Sequence, residues 1–277
     1  MRSFRLPSGE QIPALGMGTW KMGESARSRS AEVTALRRGL DLGMTLIDTA
    51  EMYGEGGAEE VIAEAIAGER PRVFLVSKVY PHNASRQGVI AACNRSLKRL
   101  QTDYLDLYLL HWRSSVPLSE TLEAFQALKQ AGKIRDYGVS NFDTSAMKAA
   151  IALPGGAAIA TNQVLYNLSR RGIEWDLLPW CRQQQMPVMA YSPVEQGRLL
   201  SERALKAIAQ HKDVTAAQVA IAWLLHQQNV VVIPKSSSVQ HVEENLAALN
   251  IQLSPEDLTA LDQAFPAPTR PVALQML

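Results

Sequence analysis

Cysteine is scarce in this chain. Only Cys93 and Cys181 occur, neither in a CxxC or Cys/His pattern, so no disulfide framework or zinc site is expected and a reducing compartment fits. Long apolar runs are missing too, and none approaches the roughly 20 residues of a membrane span. There is no excess of charge of one sign. A formal net charge of +1 leaves no global field to draw in nucleic acid or anionic lipid, and neither is expected as a partner. No complete GxGxxG follows a strand-like run. Gly16-Met-Gly18 lacks the third glycine, which argues against a Rossmann-type nucleotide site. The opening residues, Met1-Arg-Ser-Phe-Arg-Leu-Pro-Ser-Gly9, have no apolar signal core, and a cytoplasmic protein is expected. Linkers, low-complexity tracts and longer repeats are absent, so residues 1–277 are expected to form a single domain.

What is present is a regular alternation. Short apolar runs read as strands at 15–20, 45–49, 73–78, 104–111, 134–140, 160–165, 187–192 and 230–234. Helical periodicity fills the gaps. Val89, Cys93, Leu97 and Leu100 recur at helical spacing, as do Leu118, Leu122, Phe125 and Leu128 before Gly132. Thr215 with Gln218 reads as a capping box, and Ser254-Pro-Glu-Asp257 caps a last helix. Residues 2–13 read as a hairpin turning at Ser8-Gly9-Glu10, placed to plug the bottom of a barrel. Eight strands separated by helices predict an α/β (β/α)8 barrel of the TIM type. It carries an N-terminal hairpin and extra helices late in the chain, near 202–212 and 215–228.

Several strands end on reactive residues. The apolar stretch 45–47 stops at Asp48 and turns to Tyr53, run 73–78 stops at Lys78, and run 104–111 stops at His111. In a parallel barrel these C-terminal tips face one mouth, and consecutive strands are neighbours. A carboxylate, a phenol, an ammonium and an imidazole then share one cleft. Lys78 beside Tyr53 is expected to pull the phenol pKa from about 10 toward neutrality, with Asp48 holding Lys78 charged. Such a tyrosine can give a proton to a carbonyl oxygen that His111 orients, while hydride arrives at carbon from elsewhere. Taken singly, each residue has an ordinary explanation as a turn cap, a surface lysine, a core histidine or a packed ring. All four meeting at one end favours a site.

A second cluster follows the eighth strand. Ile233-Pro-Lys-Ser-Ser-Ser238 leads into a helix through His241 and Asn245, so Lys235, hydroxyls and helix amides could hold phosphate. An ordinary serine-rich cap fits the local pattern equally well. Gly54-Glu-Gly-Gly57 reads as a flexible turn rather than a phosphate cradle. Trp20, Tyr80, Trp112 and Tyr191 fall at or just past strand tips and read as pocket walls, with Tyr191 able to stack on a flat ring.

These segments together resemble the aldo-keto reductase family. The resemblance runs nearly end to end through Gly16-Met-Gly-Thr-Trp20, Ile47-Asp-Thr-Ala-Glu-Met-Tyr-Gly54, Ser77-Lys78, Leu109-Leu-His-Trp112 and Gly138-Val-Ser-Asn-Phe142. It continues through Asn162-Gln163, Tyr191-Ser-Pro193 and Ile233-Pro-Lys-Ser236. It implies a barrel that binds NADPH in extended form, with Asp48, Tyr53, Lys78 and His111 as a catalytic tetrad. Cofactor contacts implied by the resemblance fall on Trp20, Asp48, Ser140, Asn141, Gln163, Tyr191, Ser192 and Pro193. They continue at Lys235, Ser236, His241, Glu244 and Asn245. Substrate contacts implied are Trp20, Tyr53, Tyr80, His111 and Trp112, no metal is implied, and a monomer is the family default.

Two positions depart from the family pattern. Many members carry arginine where His241 stands, so a weaker or more pH-dependent NADPH preference is expected. Val194-Glu-Gln-Gly197 replaces the commoner Leu-x-x-Gly and brings Glu195 near the cofactor. The short segment after His111 and the short tail after Phe265 predict an open, shallow mouth. The chain looks most like small bacterial members that reduce methylglyoxal and related α-dicarbonyls. Two other readings stay open: a Schiff-base aldolase using Lys78, and an NADPH-sensing subunit without turnover.

Overall fold

The computed structural model describes residues 2–277. Ten strands form in order: β1 Ser3–Arg5, β2 Gln11–Pro13, β3 Gly16–Gly18, β4 Leu46–Asp48, β5 Phe74–Val79, β6 Leu105–Leu110, β7 Ile134–Ser140, β8 Ile159–Leu165, β9 Val188–Tyr191 and β10 Val230–Ile233. Ten α-helices accompany them: α1 Ala26–Asp41, α2 Gly57–Ala65, α3 Arg86–Leu100, α4 Leu118–Gln130, α5 Thr144–Ile151, α6 Leu177–Gln183, α7 Arg203–Lys212, α8 Ala216–His226, α9 Val239–Ala247 and α10 Pro255–Ala264. Strands β3 to β10 pair in parallel, each with its neighbour in sequence. This is the predicted (β/α)8 barrel. Several strands are shorter than their apolar runs, because regular pairing stops before the tips bend into loops.

Between β3 and β10 the closure is thin. Bridges join Leu15 to Val232 and Gly18 to Lys235, with Val232 N donating to Ala14 O at 2.8 Å and Gly18 N to Pro234 O at 3.0 Å. The seam therefore sets the tip of β3 beside Lys235.

Alternation along each strand divides the apolar side chains into two cores. Leu46, Val76, Leu107, Leu109, Ala160, Met189 and Val231 fill the barrel interior. Ile47, Leu75, Tyr108, Val139, Val164 and Val232 face the helices and join the larger cluster. Each fully buried aliphatic side chain contributes about 1.5–3 kcal/mol. Leu6 and Ile12 of the β1–β2 hairpin join the interior cluster, so the hairpin closes the bottom as its sequence predicts. Ser8 in its turn hydrogen-bonds Asp136, and Glu10 pairs with Arg135 at 3.2 Å.

The predicted capping box forms at Thr215/Gln218, and the predicted cap at Ser254 is itself a box with Asp257, with Pro255 as the first residue of α10. The extra late helices are α7 and α8. After β9 the chain passes through a distorted 3-10 segment, Glu195–Ser201. No described helix is long and apolar enough to cross a membrane.

Candidate active site

Asp48 is the last residue of β4, Lys78 lies one residue from the end of β5, and His111 follows β6 directly. Tyr53 opens a 3-10 turn, Tyr53–Gly56, after β4. The four side chains converge. Lys78 Nζ donates to Asp48 Oδ2 at 2.8 Å and to Thr49 O at 2.7 Å, and it lies 3.5 Å from Tyr53 Oη. An ammonium carries three protons, and these contacts account for all of them. The contact to Tyr53 is too long for a strong hydrogen bond. In it the lysine is the donor, so the phenol's own proton is not used. Gln163 Nε2 donates to Asp48 Oδ1 at 2.8 Å, which leaves both carboxylate oxygens engaged.

The charge balance differs from the sequence expectation at one point. Lys78 does not draw the Tyr53 pKa toward neutrality. Burial and then the Asp48 charge hold it well above the ordinary phenol value. The physical reason is that burial penalises the charged phenolate, and the Asp48 carboxylate beside it penalises it further. Burial lowers the Lys78 pKa, while Asp48 opposes that shift. His111 is pushed down to about 2, first by burial and then by the Lys78 ammonium, which makes it a neutral imidazole. Its Nδ1 is buried without a hydrogen-bond partner.

Rings line the mouth in a continuous chain. Tyr53 and His111 have centroids 5.7 Å apart, His111 and Trp112 4.8 Å, and Trp112 and Tyr80 5.1 Å. Trp20 follows β3 on the other side of Asp48, is 40% exposed, and carries Lys21 Nζ 4.5 Å over its ring.

Beyond the tetrad, Ser140 Oγ donates to Gln163 O at 2.8 Å. Asn141, in left-handed conformation at φ 61°, donates to His111 O at 3.1 Å and accepts from Tyr191 Oη at 3.0 Å. Ser192 is also left-handed, and Pro193 is buried behind it. Lys235, Ser236, His241, Glu244 and Asn245 form a separate cluster around the start of α9, without a hydrogen bond or ion pair to the tetrad. Lys235 is exposed and donates to Ser237 Oγ at 3.2 Å, while Ser236 and Asn245 are buried. Ser238, at the N-cap of α9, makes no side-chain cap, so first-turn amides are left without one. Across the seam this cluster meets the tip of β3, close to Trp20.

Glu195 has a defined place. Its carboxylate is buried, with Oε2 accepting from Asn167 Nδ2 at 2.8 Å and Oε1 from Arg170 Nε at 3.0 Å and Nη2 at 2.8 Å. Asn167 Nδ2 also donates to Ser192 O at 2.9 Å, so the loop after β8 is tied to the loop after β9. Sequence reasoning missed Glu51. It accepts from Tyr80 N at 2.8 Å and Asn83 Nδ2 at 2.9 Å and pairs with Arg95 at 3.4 Å. The only signal for Glu51 was its position inside the Asp48–Tyr53 motif. Among the described residues, no group of three or more His, Cys, Asp or Glu could hold a metal.

The model of the Aldo/keto reductase family matches residues 14–265. Methylglyoxal reductase YeaE of Escherichia coli (strain K12) is 55% identical over 271 residues, spanning 96% of this chain and 95% of that protein. Glyoxal reductase of Bacillus subtilis (strain 168) is 34% identical over 263 residues, spanning 94% and 91%. A crystal structure of an aldo/keto reductase from Klebsiella pneumoniae in complex with NADP and acetate superposes with a TM-score of 0.97, at 51% identity and 99% of each chain.

Proposed function

This chain belongs to the aldo/keto reductase family, and from that premise we propose that it reduces small aldehydes and α-dicarbonyls such as methylglyoxal to alcohols. The observation that carries the reading is the approach of Lys78 Nζ to both Asp48 and the Tyr53 hydroxyl at the mouth of the barrel. NADPH, when bound, supplies hydride to the carbonyl carbon.

The residues present suit that cofactor. The uncapped first turn of α9 and the exposed Lys235 offer amides and a cation for phosphate, with Ser236, His241, Glu244 and Asn245 alongside. Ser140, Asn141, Gln163 and Tyr191 supply polar groups and a ring for the nicotinamide end, and Trp20, Ser192 and Pro193 complete the groove. The relatives' names and the NADP-bound Klebsiella structure support the same choice.

Tyr53 is the proton donor in this reading. Its raised pKa keeps the hydroxyl protonated at neutral pH, and the proton moves only when a strongly basic alkoxide develops on the substrate oxygen. Lys78, held by Asp48 and Thr49 O, faces the phenolate left behind and stabilises it. His111 is neutral, so it can donate one hydrogen bond to the carbonyl oxygen without placing a second full charge beside Lys78. Tyr80 and Trp112 give the mouth an aromatic wall suited to a small uncharged substrate. A Schiff base at Lys78 is disfavoured, because its amine is fully buried and salt-bridged.

The test is NADPH oxidation with methylglyoxal, with NADH in parallel. Tyr53→Phe should abolish turnover and leave NADPH binding unchanged. Retention of most activity in that variant would remove Tyr53 from its role, and tight NADPH binding without turnover on any aldehyde would favour a sensing subunit.

A further inference from the structure

The turn that carries Tyr53 is gripped from outside the barrel. Gly56, its last residue, has φ +95°, and a Cβ there would fall 2.5 Å from Arg99 Nε. A Cβ on the next residue, Gly57, would fall 2.5 Å from Gly23 O. The turn thus lies between the Gly23 backbone on one side and the Arg99 guanidinium on the other.

Arg99 comes from α3. Its Nε and Nη2 both lie 2.6 Å from Glu59 Oε2, on α2. The second oxygen, Glu59 Oε1, accepts from Ser77 Oγ at 2.7 Å. Ser77 directly precedes Lys78 on β5. Side chains alternate along a strand, so Lys78 points into the barrel and Ser77 out toward the helices. One fully buried carboxylate therefore joins the helix that continues the Tyr53 turn, the helix behind it, and the residue next to Lys78. An apolar trio of similar volume would hold the fold as well or better, because burying charges costs desolvation. What the ions add is fixed direction, since the planar guanidinium holds Glu59 Oε2 between two of its nitrogens.

We propose that Glu59 and Arg99 are positioning residues which, with Ser77, set the separation between the Tyr53 hydroxyl and the Lys78 ammonium. The turn carries left-handed residues at Gly54, Glu55 and Gly56, and Tyr53 meets Lys78 through the 3.5 Å contact and with the ammonium 5.0 Å from its ring centroid. The negative charge of Glu59 also favours the protonated form of Lys78. The inference rests on the proposed carbonyl reduction.

The experiment compares the full-length wild type with Arg99→Met, Arg99→Lys and Ser77→Ala. It measures kcat and KM for methylglyoxal, NADPH affinity by fluorescence, and thermal midpoint. A misplacement of 1 Å costs about 100-fold in rate, so Arg99→Met should lose about tenfold or more in kcat. Its KM and NADPH Kd should stay within about twofold, the signature of an interaction that acts on the chemical step. Arg99→Lys, which restores the charge, should recover part of the loss. Ser77→Ala keeps the ion pair but removes a hydrogen bond to the charged Glu59 carboxylate, and should lower kcat by about threefold or more. A folded Arg99→Met with wild-type kcat would overturn the proposal. Should that variant not fold, wild-type kcat in Ser77→Ala would overturn it. Absence of turnover in the wild type itself would instead strike the carbonyl-reductase reading, and this inference with it.

Discussion

Asp48→Asn isolates the worth of the buried Lys78–Asp48 pair. The two groups lie 2.8 Å apart, with side chains 0% and 3% exposed. Asparagine keeps the size of the side chain and an oxygen to accept from Gln163. It leaves the ammonium with only Thr49 O as a close partner. Removing one partner of a buried pair costs about 3–5 kcal/mol. A second route gives the same size. Burial already lowers the Lys78 pKa with Asp48 present, so without Asp48 the folded state will shed the proton. At about three pH units below the ordinary lysine pKa of about 10.4, that release costs about 4 kcal/mol. The variant's lysine is then neutral when folded and charged when unfolded. The unfolded state binds more protons, so stability rises with pH. The deficit against wild type should shrink by about 1.4 kcal/mol per pH unit between about pH 7.5 and 9.5. Urea unfolding followed by tryptophan fluorescence at both pH values measures it. Equal stability at the lower pH, or a deficit that ignores pH, would refute this account of the pair.

His111, with its pKa depressed to about 2, is neutral when folded and charges only on unfolding. Wild type should lose about 1.4 kcal/mol of stability per pH unit below about pH 6.5 from this residue, and His111→Gln should flatten that slope in urea unfolding. For the same reason no histidine limb is expected in the rate profile between about pH 5 and 8. Burial pushes the Cys93 and Cys181 thiols up to about 12, so iodoacetamide at about pH 8 should leave the native protein unmodified by mass spectrometry and label both after denaturation. Gly56→Ala must adopt a left-handed φ and displace Arg99, and a loss of about 1–3 kcal/mol by urea unfolding is expected. His241→Arg should tighten NADPH binding with little change for NADH, as read by fluorescence titration.

Much of this was legible in the sequence because the signals are local. The barrel strands show as short apolar runs, and each tip residue of the tetrad is marked by where its run stops. The caps at Thr215 and Ser254 are local patterns and formed as read. Glu59 was not legible. Its partners, Ser77 and Arg99, come from two other elements, and a charged residue in a helical run looks like solvated surface until those elements pack. Glu195 was seen but not explained, because Asn167 and Arg170 reach it from the loop of the preceding strand. The direction of the Tyr53 pKa was missed for a related reason. Neighbourhood with Lys78 can be read from strand order, but the burial of the phenol and its closeness to the Asp48 charge are matters of coordinates.

The thin seam between β3 and β10 also bears on how the protein is made. Gly18 and Lys235 come from opposite ends of the chain, yet their bridge both closes the barrel and brings the α9 cluster to Trp20. On the ribosome, the first barrel strand waits with one edge unpaired until residue 235 has emerged. An exposed strand edge invites pairing with other chains. The nascent polypeptide therefore carries an open strand edge through nearly the whole of its synthesis, and a chain truncated before β10 would carry the four tetrad side chains but lack the strand that completes the cylinder.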